Sequence, residues 1–335
     1  MHLSSLFILF STAALTATAH PGPHEPLAPA ALHRRNELLK RCPGHAATFN
    51  KRRMAARNAL TKRWADEHHH NATYEIHTEA PFYETIQNET CVLTPEVTRG
   101  PYVWPRSQTL RQDMTEDQVG VPLWLDVGVL DMATCEPLPN VLVDFWHCNA
   151  TGSYSSFTGL SPNTPFEDLL HELNLNDTTY DLGTTDLHTD DTTWLRGMWP
   201  TDEAGVMEMK TIFPGFYIQR AIHIHVQVHT DWTLRENGTI TSSHTVSTGQ
   251  IYFAEELERE LMALEPYVSH TQINRTTNAE DSIFSGDTEG GYNPVVSVVP
   301  ADGKDVRNGV IGYITIGVDT SAIERFSRGD VDYGL

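Results

Sequence analysis

Residues 213–229 read FPGFYIQRAIHIHVQVH. From Ile222 onward the alternation is unbroken: Ile222, Ile224, Val226 and Val228 on one parity, His223, His225, Gln227 and His229 on the other. Successive side chains of a β-strand point to opposite faces, so this is a strand with one apolar face for a core and one face rich in imidazole. Pro214-Gly215 ahead of it marks a turn. The segment places the chain among sheet proteins with one buried sheet face.

The flanking sequence extends that reading. VPLWLDVGVL (121–130), VLVDFWHC (141–148), VMEMKTIF (206–213), TGQIYF (248–253) and GVIGYITIGV (309–318) are further strands, with a turn over MATCEPLPN (132–140). Short strands between Pro, Gly and Asn turns predict a mainly β protein built as a sandwich. One helix interrupts them, AEELERELMAL (254–264), whose acidic first turn suits its dipole. The stretch 155–200 is long and polar, and is read as a functional excursion rather than a core element.

The two ends differ from the middle. Residues 1–19 read as a secretory signal peptide, apolar from Leu3 to Ala14 and ending in Ala17-Thr18-Ala19. No later stretch is long and apolar enough for a membrane span. Residues 20–66 form a basic extension with two predicted helices either side of Cys42-Pro43-Gly44, and residues 67–335 hold the sandwich domain. The extension carries four dibasic pairs and could be a propeptide. Cys42 favours a structural extension, because it implies a covalent tie to the body. Between residues 20 and 63 ten basic residues outweigh two acidic ones, a net of +8; the chain as a whole carries −21, so the rest holds −29. An acidic body argues against nucleic acid and anionic membranes as partners.

Six Asn-x-Ser/Thr sites (Asn71, Asn88, Asn149, Asn176, Asn237, Asn274) agree with a secreted glycoprotein. The four cysteines, Cys42, Cys91, Cys135 and Cys148, suit two disulfides rather than a thiolate metal site, since there is no C-x-x-C. Cys135 and Cys148 lie at opposite ends of a strand roughly 23 Å long, beyond the reach of a disulfide. Cys91–Cys148 with Cys42–Cys135 is the pairing taken.

On the predicted strand His223 and His225 project from one face and can reach one metal ion. A bare H-x-H is more often a solvated polar face, but its surroundings add donors. Tyr217 follows the Pro-Gly turn, Arg220 lies three residues before His223, and Tyr154 follows a glycine turn in WHCNATGSY. Phenolate is a hard anionic donor suited to Fe(III), and imidazole is a common transition-metal ligand.

These elements resemble the intradiol ring-cleavage dioxygenases, the non-haem Fe(III) enzymes that include catechol and protocatechuate dioxygenases, and most of all their secreted fungal branch. The resemblance runs through CVLTPEVTRGPY (91–102), residues 121–155, LRGMWPTDEAG (195–205), FPGFYIQRAIHIHV (213–226) and TGQIYF (248–253). It is carried by W-x5-G-x-Y, P-G-x-Y and R-x-x-H-x-H taken together. It implies an Fe(III) site with four ligands, Tyr154 and His223 equatorial and Tyr217 and His225 axial, and no organic cofactor. It implies catalytic roles for Tyr217 as a base that leaves the metal, for Arg220 in stabilising substrate anion, and for Gln250 beside them. The implied partners are a small aromatic diol and O2, and the implied product is a muconate-type dicarboxylate. Compared with the intracellular enzymes, the connection from Tyr217 to His223 is short, which predicts an open pocket. The helical linker that dimerises the catechol enzymes has no counterpart, so oligomeric state does not carry over.

Two other classes compete. A secreted sandwich-fold binding protein with a vestigial metal site would not need Tyr154, Tyr217, His223, His225 and Arg220 together. A cupin-type H-x-H enzyme needs a carboxylate about four residues after the second histidine, where His229 and Thr230 stand instead. Of the remaining residues, His68-His69-His70 reads as a solvated loop, and His20 lacks the partner histidine of a copper site. His229 reads as solvent-facing or as outside the ligand set, Phe145 and Trp146 as strand core. Trp199 and Phe216 could line the pocket or the core. Arg111 and Arg196 match family positions and could be structural.

Overall fold

The computed structural model describes residues 37, 42, 44–49, 51–53, 55, 99–104, 109–176, 179–180, 185–234, 236, 240–287 and 293–321. The signal peptide, the first predicted helix apart from Glu37, Cys91, His20, His68-His69-His70 and the sequons at Asn71, Asn88 and Asn237 lie outside the described residues.

Among the described residues, eight strands form two four-stranded sheets. The first has the order β4 (Val206–Ile212), β1 (Pro122–Asp131), β8 (Val310–Val318), β7 (Ser297–Pro300), with β1 and β8 parallel. The second has the order β3 (Arg196–Pro200), β2 (Leu142–Trp146), β5 (His223–Leu234), β6 (Ile240–Tyr252), all antiparallel. The sheets face each other across one apolar core. Leu123, Leu125, Val127 and Val129 of β1 enter it from one side, and Ile224, Val226 and Val228 of β5, with Ile222 just before them, from the other. The alternation in 222–229 thus does what it predicts on its apolar parity, and the chain is the expected β-sandwich. Helices are short: α1 (Phe166–Glu172), α2 (Glu255–Leu261) and α3 (Ser282–Asp287).

Each sheet's outer face is also covered. On the first sheet, residues 44–49 and 51–53 are helical and pack Cys42, Ala46 and Phe49 against Leu130, Met132 and Cys135. Cys42 and Cys135 form a disulfide, and buried Arg53 pairs with Asp126 at 3.0 Å. On the second sheet, the excursion packs Phe157, Leu160, Phe166, Leu169, Leu170, Tyr180 and Leu187 into a second apolar cluster with Tyr102, Trp146, Tyr154 and Tyr217.

Four expectations change here. The excursion 155–200 is not only functional: it contains α1 and β3, and its apolar residues are spaced irregularly because they cover a sheet from loops. Cys148 is a buried free thiol that donates to Gly215 O (3.4 Å), so the Cys91–Cys148 bridge does not form. Trp146 belongs to the outer cluster rather than to the inter-sheet core, because it shares parity with Asp144 and not with Phe145. His229 is fully buried, its Nδ1 3.1 Å from the Thr245 hydroxyl of the neighbouring strand and its Nε2 3.9 Å from the Asp144 carboxylate.

Candidate metal centre

Two glycines bring the tyrosine turns together. β2 ends at Trp146, and Asn149 organises the loop that follows: its Oδ1 accepts from Thr151 N (3.1 Å) and Ser153 N (3.0 Å). Gly152 has φ +86°, and a Cβ there would strike the carbonyl oxygen of Phe216. Gly215 donates to Asn149 O (3.2 Å), and a Cβ on it would lie 2.5 Å from that oxygen. The glycines of W-x5-G-x-Y and P-G-x-Y therefore let one backbone touch the other, and Tyr154 and Tyr217 follow them at this contact.

The two imidazoles come from β5, where pleating turns His223 and His225 to the outer face. His223 Nδ1–H donates to Ala221 O (2.7 Å), which assigns the lone pair to Nε2. His225 lies flat against Trp146, centroids 4.8 Å apart and planes 1° apart. His223 Nε2 lies 3.1 Å from His225 Nε2, and the Tyr217 hydroxyl is 3.3 Å from His223 Nε2. The Tyr154 ring meets Tyr217 edge-on at 5.6 Å and is 6.1 Å from His225. Tyr154 also stacks on Tyr102, at 4.6 Å. Its hydroxyl is buried with no well-formed hydrogen bond.

Arg220 and Gln250 stand beside this group. The Arg220 Nη2 donates to Gln250 Oε1, Nη1 points at the Tyr217 hydroxyl (3.5 Å), and Nε donates to Asp281 Oδ2 (2.9 Å). Tyr252 donates to Gln250 Oε1 (2.8 Å), while Gln250 Nε2 is buried without a partner. Tyr252 and Asp281 are additions to the sequence reading. Tyr252 was legible, since it shares the parity of Gln250 on β6. Asp281 lies 61 residues beyond Arg220 with no motif around it.

Burial governs the electrostatics. It raises the Tyr154 pKa well above the ordinary phenol value and pushes Tyr217 up to about 12, the nearby Arg220 opposing both shifts. Burial holds His225 well below its usual range, and His223, Arg220 and Arg196 add to that. For Arg220 burial alone would lower the pKa, but Asp281, Tyr217 and Tyr252 outweigh it and the guanidinium is held charged. The short Tyr217–His223 connection does not leave these groups open. Arg220, His223, His225, Tyr154 and Tyr217 are all at most 6% exposed, under the layer from 99–104 and the excursion. Phe216 packs in the inter-sheet core and stacks on His270. Trp199 lines a separate cavity of about 1200 Å³ between the N-terminal segment and the first sheet. Arg196 is structural: it donates to Ser155 Oγ (2.8 Å), Ser155 O (2.7 Å) and Tyr102 O (2.8 Å), holding the Tyr154 loop to β3. Arg111 likewise donates to Arg196 O and Thr193 O.

The donor set fits a metal ion. Ligand atoms about 2.1 Å from one ion and at right angles to each other lie about 3 Å apart, close to the separation of the two imidazole nitrogens. Two ring nitrogens and a phenol oxygen thus crowd together at 3.1 and 3.3 Å, with the His225 Nδ1 and the Tyr154 hydroxyl buried without a partner. A cation would favour both phenolates, reversing the effect of burial. Among the described residues no three His, Cys, Asp or Glu side chains gather into a metal-holding group; here phenols complete the set.

A sequence model of the family described as Dioxygenase matches residues 100–282, more than half of the chain. Among solved structures, an intradiol ring-cleavage dioxygenase from Tetranychus urticae is similar at 24% identity, over 70% of this chain and 98% of that one, with a TM-score of 0.53. Catechol 1,2-dioxygenase from Pseudomonas arvilla C-1 aligns at 19% identity over 72% of this chain and 68% of that one, with a TM-score of 0.41. No curated protein sequence matches. The family match spans β1 to β6, both tyrosine turns and the histidine strand, and on it the chain belongs to the intradiol ring-cleavage dioxygenases.

Proposed function

We propose that the chain is a secreted Fe(III) enzyme that cleaves catechol-type rings between their two hydroxyls, with Tyr154, Tyr217, His223 and His225 as the metal ligands. The observation that carries this is the convergence of His223 Nε2, His225 Nε2 and the Tyr217 hydroxyl, with the buried Tyr154 phenol facing Tyr217. A ferric ion bound there supplies Lewis-acid polarisation of the diol and an electron sink that opens the ring to O2.

The chain's own groups do the rest. Tyr217, between His223 Nε2 and Arg220 Nη1, would be held as a phenolate by the bound ion and in that form would take a hydroxyl proton from the arriving diol. Arg220 is a fixed, buried positive charge where the diol becomes anionic, so it need not reorganise as charge develops. Gln250 orients Arg220 through Oε1, and its unpartnered Nε2 is free to donate to a substrate oxygen. Trp146 fixes the plane of His225, and Ala221 O fixes the tautomer of His223. Residues 1–19 act as the signal, residues 20–66 as a retained extension and residues 67–335 as the dioxygenase domain. Exposed Asn176 and Asn274 suit glycosylation.

The test is the purified protein's visible spectrum with product analysis. Two tyrosinates on Fe(III) give a broad visible charge-transfer band and a red-brown colour. Catechol and labelled O2 should yield a cis,cis-muconate-type diacid carrying both oxygen atoms. A colourless protein filled with zinc would refute the ligand set, and a semialdehyde product would refute the cleavage position.

A further inference from the structure

We propose that Asp281 is a positioning residue for Arg220, a carboxylate that fixes the guanidinium's rotamer and so aims its Nη1 edge at Tyr217. This rests on the ferric reading of the site above. Asp281 is buried, and every group on its carboxylate is a donor. Oδ2 accepts from Arg220 Nε (2.9 Å) and from Ala221 N (2.8 Å). Oδ1 accepts from Ile283 N (2.8 Å) and Phe284 N (3.3 Å) at the start of α3. Only a group with two acceptor oxygens satisfies both sides; an asparagine would turn its NH2 against one pair of N–H donors.

The same carboxylate joins three parts of the site. It holds the guanidinium by Nε, leaving Nη1 toward Tyr217 and Nη2 toward Gln250 and Tyr252. It holds Ala221, whose carbonyl orients His223. It also starts α3, from which Phe284 packs edge-on against Tyr252 at 5.0 Å. An arginine has several rotamers, and burial without a counter-charge would be costly. Asp281 removes both problems from the far side of the guanidinium, so the edge facing the tyrosines is not covered by the neutralising group. A plain helix cap would explain the bonds to Ile283 and Phe284 but not the other two.

The experiment uses the iron-loaded full chain as wild type and as Asp281→Asn, Asp281→Glu, Arg220→Ala and the Arg220→Ala/Asp281→Asn double variant. It measures iron content, the visible band, the thermal midpoint, binding of the chromogenic analogue 4-nitrocatechol, and kcat and KM for catechol. Asp281→Asn should keep iron and the band, bind 4-nitrocatechol more weakly, and lose about tenfold to a hundredfold in turnover. Asp281→Glu keeps the charge and both oxygens but moves them by one methylene. It should fold and still lose several-fold, and it serves as the test if the asparagine variant does not fold. The double variant should match Arg220→Ala within about threefold, because Asp281 acts through that side chain. Turnover within twofold of wild type in the folded Asp281 variants would overturn the proposal, as would losses that multiply in the double variant. Loss of the band in Asp281→Asn would also overturn it, since the aspartate would then act through Ala221 and His223. A wild type lacking the band and the diacid fails the ferric reading itself; a wild type that passes beside unaffected Asp281 variants fails only this proposal.

Discussion

Gly215 is the residue on which the two tyrosine turns meet. Its missing side chain is the reason the loop from β2 can lie against the turn before β5, with Ala150 O and Asn149 O where a Cβ would be. Both oxygens are backbone, so no side chain can rotate away to make room. Gly215→Ala should therefore push the Tyr154 loop away from Tyr217, costing about 1–3 kcal/mol of stability and most of the bound iron. Denaturant unfolding and the visible band check this together. Full colour at wild-type stability would show that the contact is soft. Gly215 was legible as half of a Pro-Gly turn. What the turn touches was not, because Asn149 is 66 residues upstream and local sequence does not encode that approach.

At the scale of elements, the end of β2 is tied to the other sheet by a neutral histidine. His147 Nδ1–H donates to Cys148 O (2.7 Å), and Nε2 accepts from the Thr211 hydroxyl of β4 (2.7 Å). Burial, helped by Arg196, pushes its pKa down to about 4 from 6.5, against the bond to Cys148. The unfolded chain therefore binds the proton more readily than the folded one. The stability contribution is complete above about pH 6.5 and is lost as pH falls toward 4, an effect of order 3 kcal/mol. In iron-free protein, the stability gap between wild type and His147→Gln should shrink by about that amount from pH 7 to pH 4. Contributions common to both proteins cancel in the difference. A gap that does not change with pH would mean that His147 does not titrate in this range. The strands themselves were legible wherever one face was apolar. β3 and β7 were not, since RGMWP and SVVP carry no alternation of apolar and polar residues.

For the whole molecule, the outer faces of the sandwich decide what the chain can lose. The N-terminal segment is bonded to the body through Cys42–Cys135 and buries Arg53 on Asp126, with Arg53 Nη1 also donating to Ile314 O (3.2 Å). These anchors support the proposal that the segment is retained. On the proposal that the chain is secreted and the segment retained, the mature protein should begin at or near His20, and N-terminal sequencing with intact mass decides it; a start at Trp64 would refute retention. Replacing Cys42 and Cys135 together by alanine should cost about 2–5 kcal/mol, read by thermal or denaturant unfolding.

The amino-acid sequence determined the class of fold and the donor set. Strand parity is a local property of consecutive residues, and motif spacing within one turn is read directly from the order of side chains. Thus Ile224 and His225 could be assigned to opposite faces, and Tyr154, Tyr217, Arg220, His223 and His225 stood out by spacing, while Gln250 and the grouping of the four donors on one ion came from the family resemblance. Only the tertiary structure decided that the outer face of the histidine strand is buried, that Trp146 lies flat on His225, that Cys148 stays reduced, and that Asp281 grips Arg220. Each of these depends on contact between segments far apart in the chain, where the deciding quantity is a distance across a layer and not a period along a strand.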